Sequence, residues 1–350
     1  MGTAAVRRLL CALAMGFTAL LPAPSSASML HSTAAQPTAP GTDAAYQKLV
    51  DAANSVVGIR MKAIRNARSN ELLGEERNGS GVLIDNKGLV LTIGYLIMEA
   101  DSIEVTDAHG TTVPANPIAY DHATGFGLVR AMGKVTAKPI RFGTSSPVSQ
   151  LDRMLIITGG GEQTVSIATV VSRRKFAGYW EYLIDDAIFT SPPRLDHSGA
   201  ALVNKDGELV GIGSLFVMDA IRPGEKFPGN MFVPIDLLKP ALDEMLKSGA
   251  QAASRRPWLG INSLEEDGRV KVMQVNEESP ADQAGIAAGD IILSVNGLAV
   301  DSLETFYTKL WDHTKPGAVI RLTVLHGPVM KEIDVRSIDR IEFMRRKKGV

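Results

Sequence analysis

Residues that commonly carry catalysis are sparse in this chain. Its one cysteine, Cys11, sits in an apolar N-terminal run behind the bulky Leu10, which does not suit a lipid-attachment site. Removal of that run would leave no disulfide, no thiol nucleophile and no thiolate metal site. There is no phosphate-binding loop, no dinucleotide-type glycine pattern and no Cys/His cluster of zinc spacing, so no metal and no cofactor is expected. His109 and His326 lie beside glycines and His313 lies in the C-terminal third, all in settings that suit loops or surface. His197 precedes Ser198 directly. Consecutive side chains diverge, so its imidazole is poorly placed to serve that hydroxyl. A serine hydroxyl is a weak nucleophile unless a neighbouring base takes its proton during attack.

These residues need a scaffold, and the sequence describes one of short strands. The 350 residues leave room for two or three domains, 45% are hydrophobic, and 33 Gly with 18 Pro point to many turns. A net charge of −1 gives no field that would attract nucleic acid or an anionic membrane. Residues 1–27 read as a cleaved signal peptide. Arg7 and Arg8 precede an apolar run from Leu9 to Leu21, which is shorter than the roughly 20 residues a spanning helix needs. Pro22 and Pro24 break the run, and Ser25-Ser-Ala27 offers a cleavage site. Residues 28–44 read as a flexible linker, and Tyr46–Val57 as a short helix. Gly81–Thr92 and Ala201–Ile212 read as hairpins around Asn-Lys-Gly and Asp-Gly turns. Pro234–Lys247 has the spacing of an amphipathic helix, with Gly249 as its stop. A hinge at 249–256 separates a domain at 45–248 from one at 257–340. Residues 341–350, with Arg345, Arg346, Lys347 and Lys348, read as a solvated basic tail.

Several stretches then resemble one family. Gly79-Ser-Gly-Val-Leu-Ile-Asp-Asn-Lys-Gly-Leu-Val-Leu-Thr92 is similar to the hairpin that leads into the catalytic histidine of HtrA/Deg proteases. Asp121-His-Ala-Thr-Gly-Phe-Gly-Leu-Val129 resembles the segment bearing their aspartate. His197-Ser-Gly-Ala-Ala-Leu-Val-Asn204 resembles their nucleophile segment. Phe232–Pro240 and Arg256-Pro-Trp-Leu-Gly-Ile261 resemble the link into their PDZ domain, and Ser279-Pro-Ala, Ala284-Gly-Ile, Gly289-Asp-Ile-Ile and Val295-Asn-Gly continue that match. The resemblance implies a mainly β protein, a chymotrypsin-like double β-barrel followed by a C-terminal PDZ domain. It places Ser198 at the nucleophile position, with Tyr95, Gly125 and Ser198 converging between the barrels.

At the chemistry this sequence departs from the family. Tyr95 falls at the histidine position and Gly125 at the aspartate position, while Asp196 replaces the glycine whose amide helps to bind the oxyanion, beside His197. A phenol with an ordinary pKa near 10 is a poor proton acceptor at neutral pH, and glycine cannot orient a base. Loss of such a group costs on the order of a millionfold in turnover. The carboxylate of Asp196 is expected to oppose negative charge in the oxyanion hole. A relocated base would have to be His122 or His197, and Ser198 is equally explained as a small residue in a tight turn. In the PDZ domain, Trp258, Leu259, Gly260 and Ile261 match the carboxylate-binding loop. Leu259, Ile261, Phe306 and Leu310 form the pocket for a peptide's last side chain, unless Phe306 and Leu310 are simply core.

The resemblance therefore implies a periplasmic or secreted pseudoprotease that binds protein C-termini and unfolded exported proteins, acting as scaffold, adaptor or regulator. One alternative is an active serine endopeptidase of envelope quality control with a rebuilt site around Ser198. Another is a pure interaction module whose barrels are only support. Homo-oligomers, trimers among them, are a family property. Nucleic acid is not an expected partner.

Overall fold

The computed structural model describes residues 40–160, 164–249 and 255–345. The signal-peptide reading, most of the linker, the middle of the hinge and the end of the basic tail lie outside those residues. Helix α1 (Pro40–Asn54) leads into β1 (Val56–Ala63), and helix α2 (Asn70–Leu73) precedes β2 (Glu76–Leu83) and β3 (Leu89–Ile93). β4 (Ala100–Thr106), β5 (Thr112–Tyr120) and β6 (Phe126–Ala131) complete a closed barrel in the order β1-β2-β3-β6-β5-β4. Its walls follow from alternation: along β1, Ile59, Met61 and Ala63 point inward while Arg60 and Lys62 face water.

The second sheet uses β7 (Arg141–Phe142), β8 (Arg153–Thr158), β9 (Thr164–Gly178), β10 (Tyr182–Ser191), β11 (Ala201–Val203), β12 (Glu208–Val217) and β13 (Gly229–Pro234). β11 pairs with both β8 and β12, so this sheet also curls onto itself, with β7 added parallel to β12. The two barrels touch through backbone. A side chain at Gly58 would come within 2.1 Å of Gly160 Cα, which only glycine avoids.

Helix α3 (Leu242–Ser248) ends this part of the chain. The C-terminal unit holds β14 (Pro257–Trp258), β15 (Ile261–Glu266), β16 (Arg269–Val275), helix α4 (Pro280–Gln283), β17 (Ile291–Val295), β18 (Leu298–Ala299), helix α5 (Leu303–Trp311), β19 (Val319–His326), β20 (Val329–Arg336), β21 (Ile338–Asp339) and helix α6 (Arg340–Phe343). Its sheet runs β15-β16-β17-β19-β20. Ser302 starts α5 with a capping box: its hydroxyl accepts from Thr305 N–H, and Thr305 Oγ1 accepts from Ser302 N–H. The helix then buries Leu303, Phe306, Tyr307 and Leu310 against the sheet.

Three local expectations change. The first helix begins at Pro40, inside the stretch read as linker, and ends at Asn54, before the expected Val57. Proline near its start, Asp43 in its first turn and Ala44-Ala45 all suit a helix N-terminus. The amphipathic run after Pro234 forms a 3₁₀ turn (Ile235–Leu237) before α3 starts at Leu242. Pro240 explains the break, since it lacks an N–H and clashes with the preceding turn. The expected basic tail is partly tied down: Arg345 N–H donates to Glu99 and its guanidinium to the carbonyl of Asn66.

Candidate functional site

Ser198 lies in the turn between β10 and β11, pinned to the first barrel by Ser80 N–H, which donates to its carbonyl at 2.8 Å. The next residue must be glycine. Gly199 has φ +71°, and a side chain there would meet Ser80 O at 1.9 Å. From the other barrel a 3₁₀ turn (Gly94–Leu96) brings in Tyr95. The turn is held by Arg77, whose buried guanidinium donates to the carbonyls of Tyr95 (2.9 Å) and Met98 (3.0 Å). Burial lowers that guanidinium's pKa to about 10.

The Tyr95 hydroxyl lies 2.8 Å from Ser198 Oγ and 2.7 Å from the Ser214 carbonyl. A carbonyl can only accept, so the single phenolic proton goes to Ser214, and Ser198 is left to donate to the phenol oxygen. Burial raises the Tyr95 pKa well above its ordinary value, against the smaller opposing effect of Ser198. The phenol therefore stays neutral at physiological pH and takes no proton from the serine.

Gly125 sits behind this pair, its carbonyl accepting from Gly94 N–H at 2.6 Å. It has φ +81°, and a side chain there would meet the Tyr182 hydroxyl at 2.9 Å. Tyr182 fills that space and donates to the Thr124 carbonyl at 2.6 Å. The segment thus reaches the Tyr95 turn, but with tyrosines where an orienting carboxylate would be needed.

Asp196 is not the bare charge expected from the sequence. Arg194 grips both carboxylate oxygens (Nε–Oδ1 2.8 Å, Nη2–Oδ2 2.6 Å), and Thr158 donates at 3.0 Å. Burial works to raise its pKa, but Arg194, Thr158 and the residue's own amide hold it below the ordinary carboxylate value. Paired with Arg194 in this way, the carboxylate presents less uncompensated negative charge to an oxyanion than an isolated one would. Neither candidate base is bonded to Ser198. His197 Nδ1 faces the Arg194 carbonyl at 3.1 Å, and burial lowers its pKa. His122 lies between the Tyr120 hydroxyl (3.2 Å) and Arg340 (3.4 Å), with its pKa pushed well down by burial and then by the charges of Arg340 and Arg256. A cavity of about 510 Å³ opens beside Tyr95, walled by Tyr120, Trp180, Trp258 and Phe343.

The second candidate site also differs from expectation. Leu259, Gly260 and Ile261 do present consecutive amides, at 3.0, 2.7 and 2.9 Å from an acceptor, but that acceptor is the side-chain carboxylate of Glu181. Phe306 and Leu310 are fully buried, as are Leu259 and Ile261, and Ala177 and Leu183 from the second barrel pack onto this cluster. The expected pocket is therefore closed core rather than open groove. Trp258 takes no part in the loop. Its backbone pairs with Ile338, and its ring lies 4.5 Å from that of Phe343.

Comparison with known proteins places this geometry. Residues 79–212 match the trypsin-like peptidase domain model and residues 257–336 the PDZ domain model. The serine endoprotease DegS of Escherichia coli is 29% identical over 308 residues, covering 81% of this chain and 83% of DegS. The chain thus carries a trypsin-like peptidase domain and a PDZ domain and is similar to HtrA/Deg proteases. The Bacillus subtilis serine protease Do-like HtrA is 24% identical across 72% of this chain, which spans only 62% of that relative's length. The serine endoprotease structure from Yersinia pestis is 25% identical, with a TM-score of 0.51 over 87% of this chain and 99% of the other.

The sequence motifs located the segments but not the residues that fill the site. Tyr182, Glu181 and Arg194 were missed. Only the aromatic run Tyr179-Trp-Glu-Tyr182, dense for a hairpin turn, hinted that the turn packs against something.

Proposed function

We propose that this protein is a catalytically silent HtrA/Deg relative of the periplasm, a scaffold or adaptor that holds C-terminal or unfolded segments of exported proteins through its PDZ domain. The observation that carries the reading is the Tyr95 hydroxyl seated on Ser198 Oγ. Where a trypsin-like site needs a base to accept the serine proton and a carboxylate to orient it, this chain has a neutral phenol and a glycine backed by Tyr182. Binding is a separate matter: a loop of consecutive N–H groups satisfies a carboxylate without any charged side chain. The periplasmic assignment rests on the N-terminal sequence.

The test compares the mature protein with its Ser198→Ala variant on unfolded casein, together with labelling by a serine-directed fluorophosphonate. Equal, background-level cleavage and no labelling are expected. Cleavage or labelling that depends on Ser198 would overturn the reading in favour of an endopeptidase with a rebuilt site.

A further inference from the structure

The β9–β10 turn occupies the place where a peptide ligand of the PDZ domain would lie. Ser263 N–H, on β15, donates to the Tyr179 carbonyl at 2.8 Å, so the turn is bonded to the sheet edge as an added strand would be. Tyr307, on α5, donates to the Gly178 carbonyl at 2.7 Å from the opposite side. At the end of this track, the carboxylate of Glu181 collects the amides of Leu259, Gly260 and Ile261. Glu181 is only 2% exposed. It holds φ +57°, a backbone conformation that costs a non-glycine residue and persists only under the pull of surrounding contacts. Lys175 and Glu304 close the rim of the same contact at 2.6 Å.

We infer that the PDZ groove is held shut by the chain's own Glu181, whose carboxylate stands in for a peptide C-terminus, and that an external C-terminus enters only when this turn leaves. The inference rests on the peptide-binding reading of the loop. One set of donors serves two carboxylates in turn, so the internal and external ligands are mutually exclusive. The apparent affinity for peptide is the intrinsic affinity reduced by the fraction of molecules in which the turn is out. Strain at Glu181 and the burial of its carboxylate both bring the closed state nearer to the open one.

The experiment uses the full mature chain and its Glu181→Gly variant. Glycine suits φ +57° and removes the carboxylate, so the variant is expected to keep its fold. A fluorescent decapeptide ending in a free leucine is titrated against both, with the C-terminal amide as control, and hydrogen exchange is followed at the amides of Leu259–Ile261 without peptide. The variant is expected to bind the free acid at least tenfold more tightly than the parent, to discriminate against the amide, and to exchange those amides faster. Equal tight binding by both proteins would overturn the inference while leaving the peptide-binding reading intact. Absence of binding with faster exchange would sink the peptide-binding reading and support the internal contact. Unchanged exchange at these amides would overturn the inference whatever the peptide does. Glu181→Gln, which keeps an oxygen for the amides of Gly260 and Ile261 but turns an NH2 group toward that of Leu259, is expected to fall between the two.

Discussion

Returning the two missing triad groups should fail for a reason that lies at Gly125. In a Tyr95→His, Gly125→Asp double variant, the new aspartate would adopt φ +81°, and its Cβ would start 2.9 Å from the Tyr182 hydroxyl. The left-handed backbone costs about 1–2 kcal/mol. Pushing Tyr182 aside adds roughly 1–3 kcal/mol of overpacking and sacrifices its hydrogen bond to the Thr124 carbonyl, worth about 1 kcal/mol. A total of about 3–6 kcal/mol corresponds to a fall in Tm of roughly 6–24 °C for a unit of this size. Calorimetry on the single and double variants reads the cost, and casein cleavage with a Ser198→Ala control reads the chemistry. Low activity together with the drop in Tm is expected. Adding Tyr182→Phe should recover part of the stability, because the Tyr182 hydroxyl is the atom the new Cβ would meet first. A Gly125→Asp variant as stable as the parent, or a double variant with vigorous Ser198-dependent cleavage, would refute the reasoning.

Other outcomes follow from neighbouring contacts. Burial raises the Glu181 pKa to about 7, against the pull of the loop amides and of Arg340; Tyr307 is the other titratable group facing it. With its closed-state pKa above the ordinary 4.5, the internal contact is strongest below that value and weakens as pH rises through 7. Peptide titrations should therefore show tighter binding at pH 8 than at pH 5.5, a difference that Glu181→Gln abolishes. Truncating Phe306 to alanine should cost about 3–5 kcal/mol in denaturant unfolding, as for a core aromatic, and not merely peptide affinity. Arg77→Met leaves the buried carbonyls of Tyr95 and Met98 without their donor. It should destabilise the protein by about 3 kcal/mol, read as a lower urea midpoint.

The sequence was most informative where a motif is also a backbone necessity. The Asp-Gly turn before β12 could be read directly, because turn chemistry is local. Gly199 carried a family motif for a reason that only the structure shows: a side chain there would meet Ser80 O at 1.9 Å. Tyr95 and Gly125 could be flagged as departures, yet nothing local revealed that the phenol would bond Ser198 and Ser214 together, or that Tyr182 would cross from β10 into the gap. The pairing of Asp196 with Arg194 was not legible, because Arg194 is two residues away with a side chain whose direction the sequence does not specify. Glu181 was invisible for a different reason: its partners lie 78 to 80 residues downstream, in another domain.

The turn that fills the PDZ groove is covalently part of the chain, and this sets how the site responds to supply. A tethered ligand competes at a fixed local concentration, on the order of millimolar for a short connection, and diluting the protein does not weaken it. A free peptide end, by contrast, competes at whatever concentration the compartment provides. The occupied fraction then depends on the ratio of the two, so scarce chain ends leave the site silent and only their accumulation fills it. The hairpin acts as a built-in threshold, and the strain at residue 181 sets its height.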